Sequence, residues 1–262
     1  MIGERKKVCI IIPMYGHGEY TRKCIDTVIA NAGITDYDIL VVDDGSPEEY
    51  VDGRVLVLPL KENTGYTGAT NTGILWAGER YEYLLLLNND TEAEPDFLKH
   101  LVDLMDRDGS IGIAGSIRRY VDGRIELCGA DLIRGHQYFA GDELPPEPVE
   151  VNWLPLCSGL VRVDMVREIG ILDKRFRNHC SDSWYCIWAK MNHWKVMLVP
   201  RSCVMHRLSV TTTAHGVNPD KDQRLLLEKL AGLDLATLMK HIPLDLENKT
   251  YGQLTFSVVN RG

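Results

Sequence analysis

The segment Tyr83-Leu84-Leu85-Leu86-Leu87-Asn88-Asn89-Asp90 sets a strand-length apolar run against two amides and a carboxylate. A buried strand needs the leucines but has no structural use for the polar trio at its end. In open α/β sheets the carboxyl edge of the strands is where ligands bind. One carboxylate among neutral oxygens can seat a hard divalent cation that holds a diphosphate. The ordinary alternative is a strand-to-helix junction, with Asp90 or Thr91 as the helix cap and Glu92 and Glu94 in its first turn.

Three more polar segments stand where strands should end. They are Pro13-Met14-Tyr15-Gly16, Asp43-Asp44-Gly45-Ser46, and the run from Glu62 through Asn63, Gly65 and Tyr66 to Asn71. A parallel sheet would bring all four to one edge. There an acid can bind a base or ribose, glycines allow close backbone approach, and a metal can meet phosphates.

The elements that must position these groups follow from hydrophobic period. Residues 8–12 form a β-branched run closed by Pro13, which predicts a buried parallel strand. Residues 19–31 carry Cys24, Ile25, Val28 and Ile29 at helical spacing, with Gly33 as the stop. Strands are expected at 39–42, 55–60 and along the leucine run, with a helix over 66–81 between the last two. A helix at 95–107, with Phe97, Leu98, Leu101, Val102 and Met105 on one face, precedes a strand at 111–117. This alternation predicts an α/β fold with a mostly parallel sheet and right-handed crossovers.

Residues 120–151 are rich in Gly, Pro and charge, which suggests hairpins or a mobile loop, with an exposed turn over 141–148. Order resumes at 154–163, followed by helices at 164–169 and 183–191 and a short strand at 196–199. The tail from 216 to 262 is expected to be helical over 220–239. It can cover the core, form a homodimer contact or lie on a membrane, and covering the core is favoured. The expected domain division is 1–215 and 216–262, the first part splitting into halves 1–117 and 118–215.

Composition sets outer limits. With 45% hydrophobic and 25% charged residues in 262, the chain has globular character. A net charge of -8 gives no electrostatic reason to expect nucleic acid as a partner. Seven cysteines form no C-x-x-C pair and sit mostly in apolar runs, as reduced thiols of a cytoplasmic protein do. The apolar runs are far shorter than the roughly 18 residues of a membrane span, so any membrane contact should be peripheral, at the inner face.

Two enzyme classes fit a polar strand edge. Gly16-His17-Gly18 followed by Asp43 has the outline of a dinucleotide fingerprint, but Thr21 stands at the third glycine, which argues against an NAD-dependent dehydrogenase. The ordered set of motifs instead resembles the family 2 glycosyltransferases, over residues 7–212. It comprises Val8-Cys9-Ile10-Ile11-Ile12-Pro13-Met14-Tyr15, Val41-Val42-Asp43-Asp44-Gly45-Ser46, Asn63-Thr64-Gly65, Asn71-Thr72-Gly73-Ile74, and Leu87-Asn88-Asn89-Asp90-Thr91 before Pro95-Asp96-Phe97-Leu98.

The resemblance implies the GT-A fold and an inverting, metal-dependent glycosyltransferase. Its donor would be a UDP- or dTDP-sugar, its acceptor a glycan, lipid-linked molecule or protein, and its product bacterial-type polysaccharide or glycoconjugate. By position, Pro13, Tyr15 and Asp43 match the base and ribose pocket, with Asp44 beside them. Asn63, Gly65 and Asn71 match the segment shaping the nucleotide-sugar site. Asn88 and Asn89 match the start of the D-x-D-like motif, and Asp90 its metal ligand. Asn88 replaces the motif's first acid, so one carboxylate must hold the Mn²⁺ or Mg²⁺.

The second half matches as well. Ser158 and Gly159, within Cys157-Ser158-Gly159-Leu160-Val161, match the strand lining the sugar pocket. After Gly170-Ile171-Leu172-Asp173-Lys174-Arg175-Phe176, Asp182 falls on the catalytic base, with Ser181 and Trp184 where relatives carry further acids. Asp182 can also serve as a helix N-cap. His206 matches a ligand to the metal or the diphosphate, and an imidazole ligand favours Mn²⁺ over Mg²⁺. Arg207 and Ser209 stand nearby as candidate phosphate contacts. Trp153, Trp184, Trp188 and Trp194 are candidates for sugar stacking or for core packing. The other reading is a nucleotide-sugar-binding protein with impaired catalysis, motivated by Asn88, Ser181 and Trp184. The subgroup suggested by residues 63–74 is the rhamnosyltransferases.

Overall fold

A computed structural model describes residues 5–126, 129–131, 136–138, 144–207 and 220–233. Ser209, part of the 141–148 segment and most of the tail lie outside the described residues. The first half alternates as expected: β1 (Lys6–Met14), α1 (Gly18–Asn31), β2 (Tyr37–Asp43), β3 (Leu56–Pro59), α2 (Gly65–Ala77) and β4 (Tyr81–Leu87). Next come β5 (Thr91–Ala93), α3 (Phe97–Arg107) and β6 (Ile111–Arg119). A hairpin of β7 (Gly129–Asp131) and β8 (His136–Tyr138), then β9 (Val149–Glu150), fill the middle. The second half has β10 (Ser158–Arg162), α4 (Val163–Ile169), α5 (Ser181–Met191), β11 (Lys195–His206) and α6 (Asp220–Ala231).

The main sheet runs β3-β2-β1-β4-β10-β6-β11-β5, with β9 also on β11. β3, β2, β1 and β4 are parallel, and β6 and β11 are parallel to each other. β10 is antiparallel to both β4 and β6, so it inverts between two blocks that point the same way. Its start, Ser158, therefore pairs with the end of β4, Leu87. That register brings the second half of the chain to the same sheet edge as the polar strand ends.

Strand side chains alternate between two cores, as a two-residue period requires. In β1, Cys9 and Ile11 face one core with Ala69 and Ile74 of α2 and Tyr185 and Cys186 of α5. Val8, Ile10 and Ile12 face the other, with Ile25 and Val28 of α1 and Phe97 and Leu101 of α3. Each such Ile or Leu, fully withdrawn from water, contributes about 1.5–3 kcal/mol. Arg162 closes the far edge. Its guanidinium donates to the carbonyls of Met105, Asp108 and Ile111, meeting acceptors that the end of α3 leaves over.

Two sequence expectations change. The segment after Asp90 is not a helix start but the short strand β5, and α3 begins only at Phe97. The strand expected at 196–199 extends to His206, because β11 is bulged between Val199 and Cys203 and then pairs with both β6 and β5. The six free cysteines among the described residues are buried or half-buried. Burial pushes thiols such as Cys24 up to about 12, which makes them unreactive. Among the described residues no helix is long and apolar enough to cross a membrane.

α2 lies close on β1 and β2 because Gly73 has no side chain. A Cβ there would sit 2.4 Å from Ile11 Cγ2 and 3.2 Å from Val42 Cγ2. Ile11 is fully buried and cannot yield. Gly73→Val should therefore cost about 1–3 kcal/mol, read as a lowered urea midpoint; an unchanged midpoint would contradict this packing.

Candidate active site

A turn shapes the end of β4. The Asn88 carbonyl accepts both the amide and the hydroxyl of Thr91, and the Asn88 amide donates to Cys157 in front of β10. The Asn89 amide group donates to Thr21 of α1. These bonds hold Asn88, Asn89 and Asp90 at the mouth of a cleft with about 910 Å³ of space open to solvent. Pro13, Tyr15, Asp44, Asn63, Gly65 and His206 line the same cleft, so nine sequence-predicted residues meet there.

His206 reaches the cleft because β5 returns against β11 and pairs Thr91 with His206. Its Nε2 lies 3.3 Å from Asp90 Oδ1, off hydrogen-bond geometry, and its Nδ1 lies 3.3 Å from Glu126 Oε2. Glu126 in turn pairs with Arg118 at 3.1 Å. Burial opposes charge on the imidazole, but the Asp90 and Glu126 carboxylates outweigh it and raise His206 to about 10. The same carboxylates favour a metal cation. A carboxylate on the far ring nitrogen fixes a ligating histidine's tautomer, and Glu126 is placed for that role.

The donor set fits a divalent cation. Asn88 Oδ1 and His206 Nε2 are buried and have no hydrogen-bond partner among the described residues. With Asp90 they would supply a carboxylate oxygen, an amide oxygen and an imidazole nitrogen, a set suited to Mn²⁺. No three His, Cys, Asp or Glu side chains cluster as a metal site among the described residues, so diphosphate and water oxygens would complete the shell.

Other predicted residues work beneath the cleft. Asp43 accepts the Ser46 amide at 3.0 Å, and Ser46 Oγ accepts the Gly16 amide at 2.8 Å, joining the ends of β1 and β2. Asp43 does not line the cleft. Asp44 accepts the Thr64 amide and hydroxyl and the Gly65 amide, at 2.6–2.8 Å. Burial raises its pKa despite those bonds. The clamp seats the start of α2, where Gly65 has φ +81° and a Cβ would strike Arg177.

Asn71, Ser158 and Gly159 also lie outside the cleft lining. Asn71 exchanges two hydrogen bonds with the backbone of Leu172, stapling α2 to the segment before α5. Ser158 belongs to a buried hydroxyl chain through Ser116 and Ser202 to the Phe97 carbonyl. Gly159 makes room for Leu156.

Asp182 stands in the first turn of α5. The N-cap position is Cys180, and Asp182 Oδ1 accepts the Ser183 amide at 2.7 Å within the turn, so it is not the cap. Burial raises its carboxyl above the ordinary value, against the Ser183 bond and the Arg118 charge. Asp182 does not itself line the cleft. The Tyr66 hydroxyl of the cleft wall donates to the Leu156 carbonyl at 3.3 Å.

Sequence reasoning missed several contributors. Met14, Tyr66, Ala69, Asn178 and His179 line the cleft, and Arg118 and Glu126 support His206. Tyr66 and Ala69 lay inside a recognised motif. Glu126 lay in a stretch without periodicity, and nothing in its neighbours marks it. Arg207 donates to Glu92 rather than facing the cleft. Of the tryptophans, Trp184 and Trp188 stack at 6.1 Å, with Lys229 of α6 over Trp184.

Comparison with known proteins bears on the family and the fold. The chain is 26% identical over 241 residues to the O-antigen biosynthesis protein RfbC of Myxococcus xanthus, covering 82% of this chain and 18% of that protein. It thus spans under a fifth of that relative. Among solved structures it is similar to GalNAc-T7 crystallised with UDP, GalNAc and Mn²⁺ (TM-score 0.63, 16% identity, 80% of this chain and 45% of that one). It is also similar to S. aureus TarS (TM-score 0.64, 16% identity, 87% and 40%). These structures share the GT-A fold with this chain. Residues 9–147, just over half of the chain, match the Glycosyl transferase family 2 model, and the chain belongs to that family.

Proposed function

We propose that this chain is an inverting, metal-dependent glycosyltransferase that moves a sugar from a UDP- or dTDP-sugar to an acceptor hydroxyl in polysaccharide or glycoconjugate synthesis. One observation carries the reading: two unpartnered buried donors, Asn88 Oδ1 and His206 Nε2, stand with Asp90 at the mouth of a nucleotide-sized cleft. The UDP and Mn²⁺ held by GalNAc-T7 and the O-antigen role in the RfbC name support the donor and product classes. Rhamnose remains a candidate beside hexoses, with a glycan, lipid-linked or protein acceptor. A cytoplasmic site of action, at most peripheral to a membrane, suits the reading.

Pro13, Tyr15 and Asn63 would hold the nucleotide, while Asn88, Asp90 and His206 would hold Mn²⁺ or Mg²⁺. When bound, the cation neutralises charge on the departing diphosphate as a Lewis acid. Asp182, which stands just outside the cleft lining, would accept the proton of the acceptor hydroxyl as that oxygen bonds to the anomeric carbon. The bond from that carbon to the diphosphate oxygen breaks on the opposite face, so configuration inverts. A raised carboxyl pKa suits this role, since a base nearer the working pH accepts a proton more strongly. An impaired binding protein is the rival reading, and turnover separates the two.

Asp182→Asn should lower kcat by about 10²-fold or more and leave donor KM nearly unchanged in steady-state assays. Wild-type turnover in that variant would exclude Asp182 as the base. Asp182 must be ionised to act, and its pKa is raised. The acid limb of kcat/KM should therefore fall off at a pH above the ordinary carboxylate value of 3.8; a limb at or below that value would contradict the raised base. Asp90→Ala should abolish the response of turnover to added Mn²⁺. An unaltered titration would remove Asp90 from the metal site.

A further inference from the structure

We propose that Asp222, on the tail helix α6, is a positioning residue for the donor site, acting through the loop of Arg177, Asn178 and His179. This rests on the donor-binding reading above. Asp222 is 5% exposed. Its carboxylate accepts the amides of Arg177 at 3.1 Å and of Asn178 and His179 at 2.9 Å. Three consecutive backbone N–H groups aimed at one point form an anion-binding nest. Here the anion is the chain's own, supplied from more than 40 residues downstream. Without it three amides lose their acceptor, and the loop has no secondary structure to replace it.

The other side of that loop builds the cleft. Asn178 Oδ1 accepts the Tyr66 amide at 3.1 Å, and the Arg177 carbonyl accepts the Thr67 amide at 3.0 Å. Arg177 Nη2 donates to the carbonyl and side-chain oxygens of Asn63, both at 2.9 Å. Asn178 and His179 line the cleft themselves, and His179 Nε2 is buried with no partner among the described residues. One carboxylate thus sets the loop that sets Asn63, the start of α2 and His179. The other anchors of α6 are separate. Lys229 pairs with Asp173 at 2.8 Å and lies over Trp184, touching none of the three amides.

The test is calorimetric titration of UDP and of dTDP, each with Mn²⁺, into the full chain and its variants. Asp222→Asn should raise the nucleotide Kd and the donor KM about tenfold while kcat stays within about threefold. Lys229→Ala should leave Kd within about twofold, as a partly exposed ion pair allows. In the unaltered chain, nucleotide should slow amide exchange at Asn178 and His179, a readout that does not depend on any variant folding. Unchanged affinity in Asp222→Asn, an equal loss in Lys229→Ala, or no slowing of those amides would each overturn the positioning role alone. If the unaltered chain bound neither nucleotide, the donor reading would fall with it.

Discussion

The buried row Arg118–Glu126–His206–Asp90 is the constraint that the surrounding fold serves. All four residues are at most 9% exposed, and each faces an opposite charge. Removing one partner from such a row leaves a buried charge uncompensated, at a cost of about 3–5 kcal/mol. The row therefore depends on four segments arriving together. β6 brings Arg118, the bridge between Arg119 and Ile125 brings Glu126, the turn after β4 brings Asp90, and β11 must stretch to His206. The bulge in β11 and the three residues of β5 look like irregularities of the sheet. They are what sets His206 alongside Asp90.

The inverted strand β10 makes a single site from two halves. If β10 ran parallel to β4, Cys157 would lie at the far edge and could not accept the Asn88 amide. Antiparallel pairing brings Leu156 and Cys157 to the carboxyl ends of β1, β2 and β4, where the Leu156 carbonyl accepts the Tyr66 hydroxyl. The two halves of the chain thus meet at the backbone carbonyls of Leu156 and Cys157.

Much of the first half was legible because buried parallel strands read as apolar runs and their polar ends stand out against them. Asp90, Asn88 and Tyr15 were found in that way, and His206 through the resemblance, and all four line the cleft. What sequence could not distinguish was a polar residue facing a ligand from one facing its own backbone. Asn71 and Ser158 sit in the matching motifs, yet their side chains hold Leu172 and Ser116. β5 went unread because three residues are too few to show a two-residue period. Glu126 and Asp222 were invisible for a different reason. Each acts on residues far away in sequence; Glu126 lies outside any periodic stretch, and the helical period around Asp222 does not announce its partner.

The replacement of an acid by Asn88 can be weighed by counting charge. With His206 protonated, the row of Arg118, Glu126, His206 and Asp90 is neutral. A divalent cation ligated by His206 Nε2 requires that proton to leave, and the row then carries one net positive charge. A carboxylate at position 88 would have balanced it within the protein. Asn88 gives only a neutral oxygen, so the balance would have to come from outside, as the proposed nucleoside diphosphate would supply it. Under the proposed function, Asn88 in place of an acid would therefore make cation and nucleotide binding mutually dependent, with each completing the charge that the other leaves open.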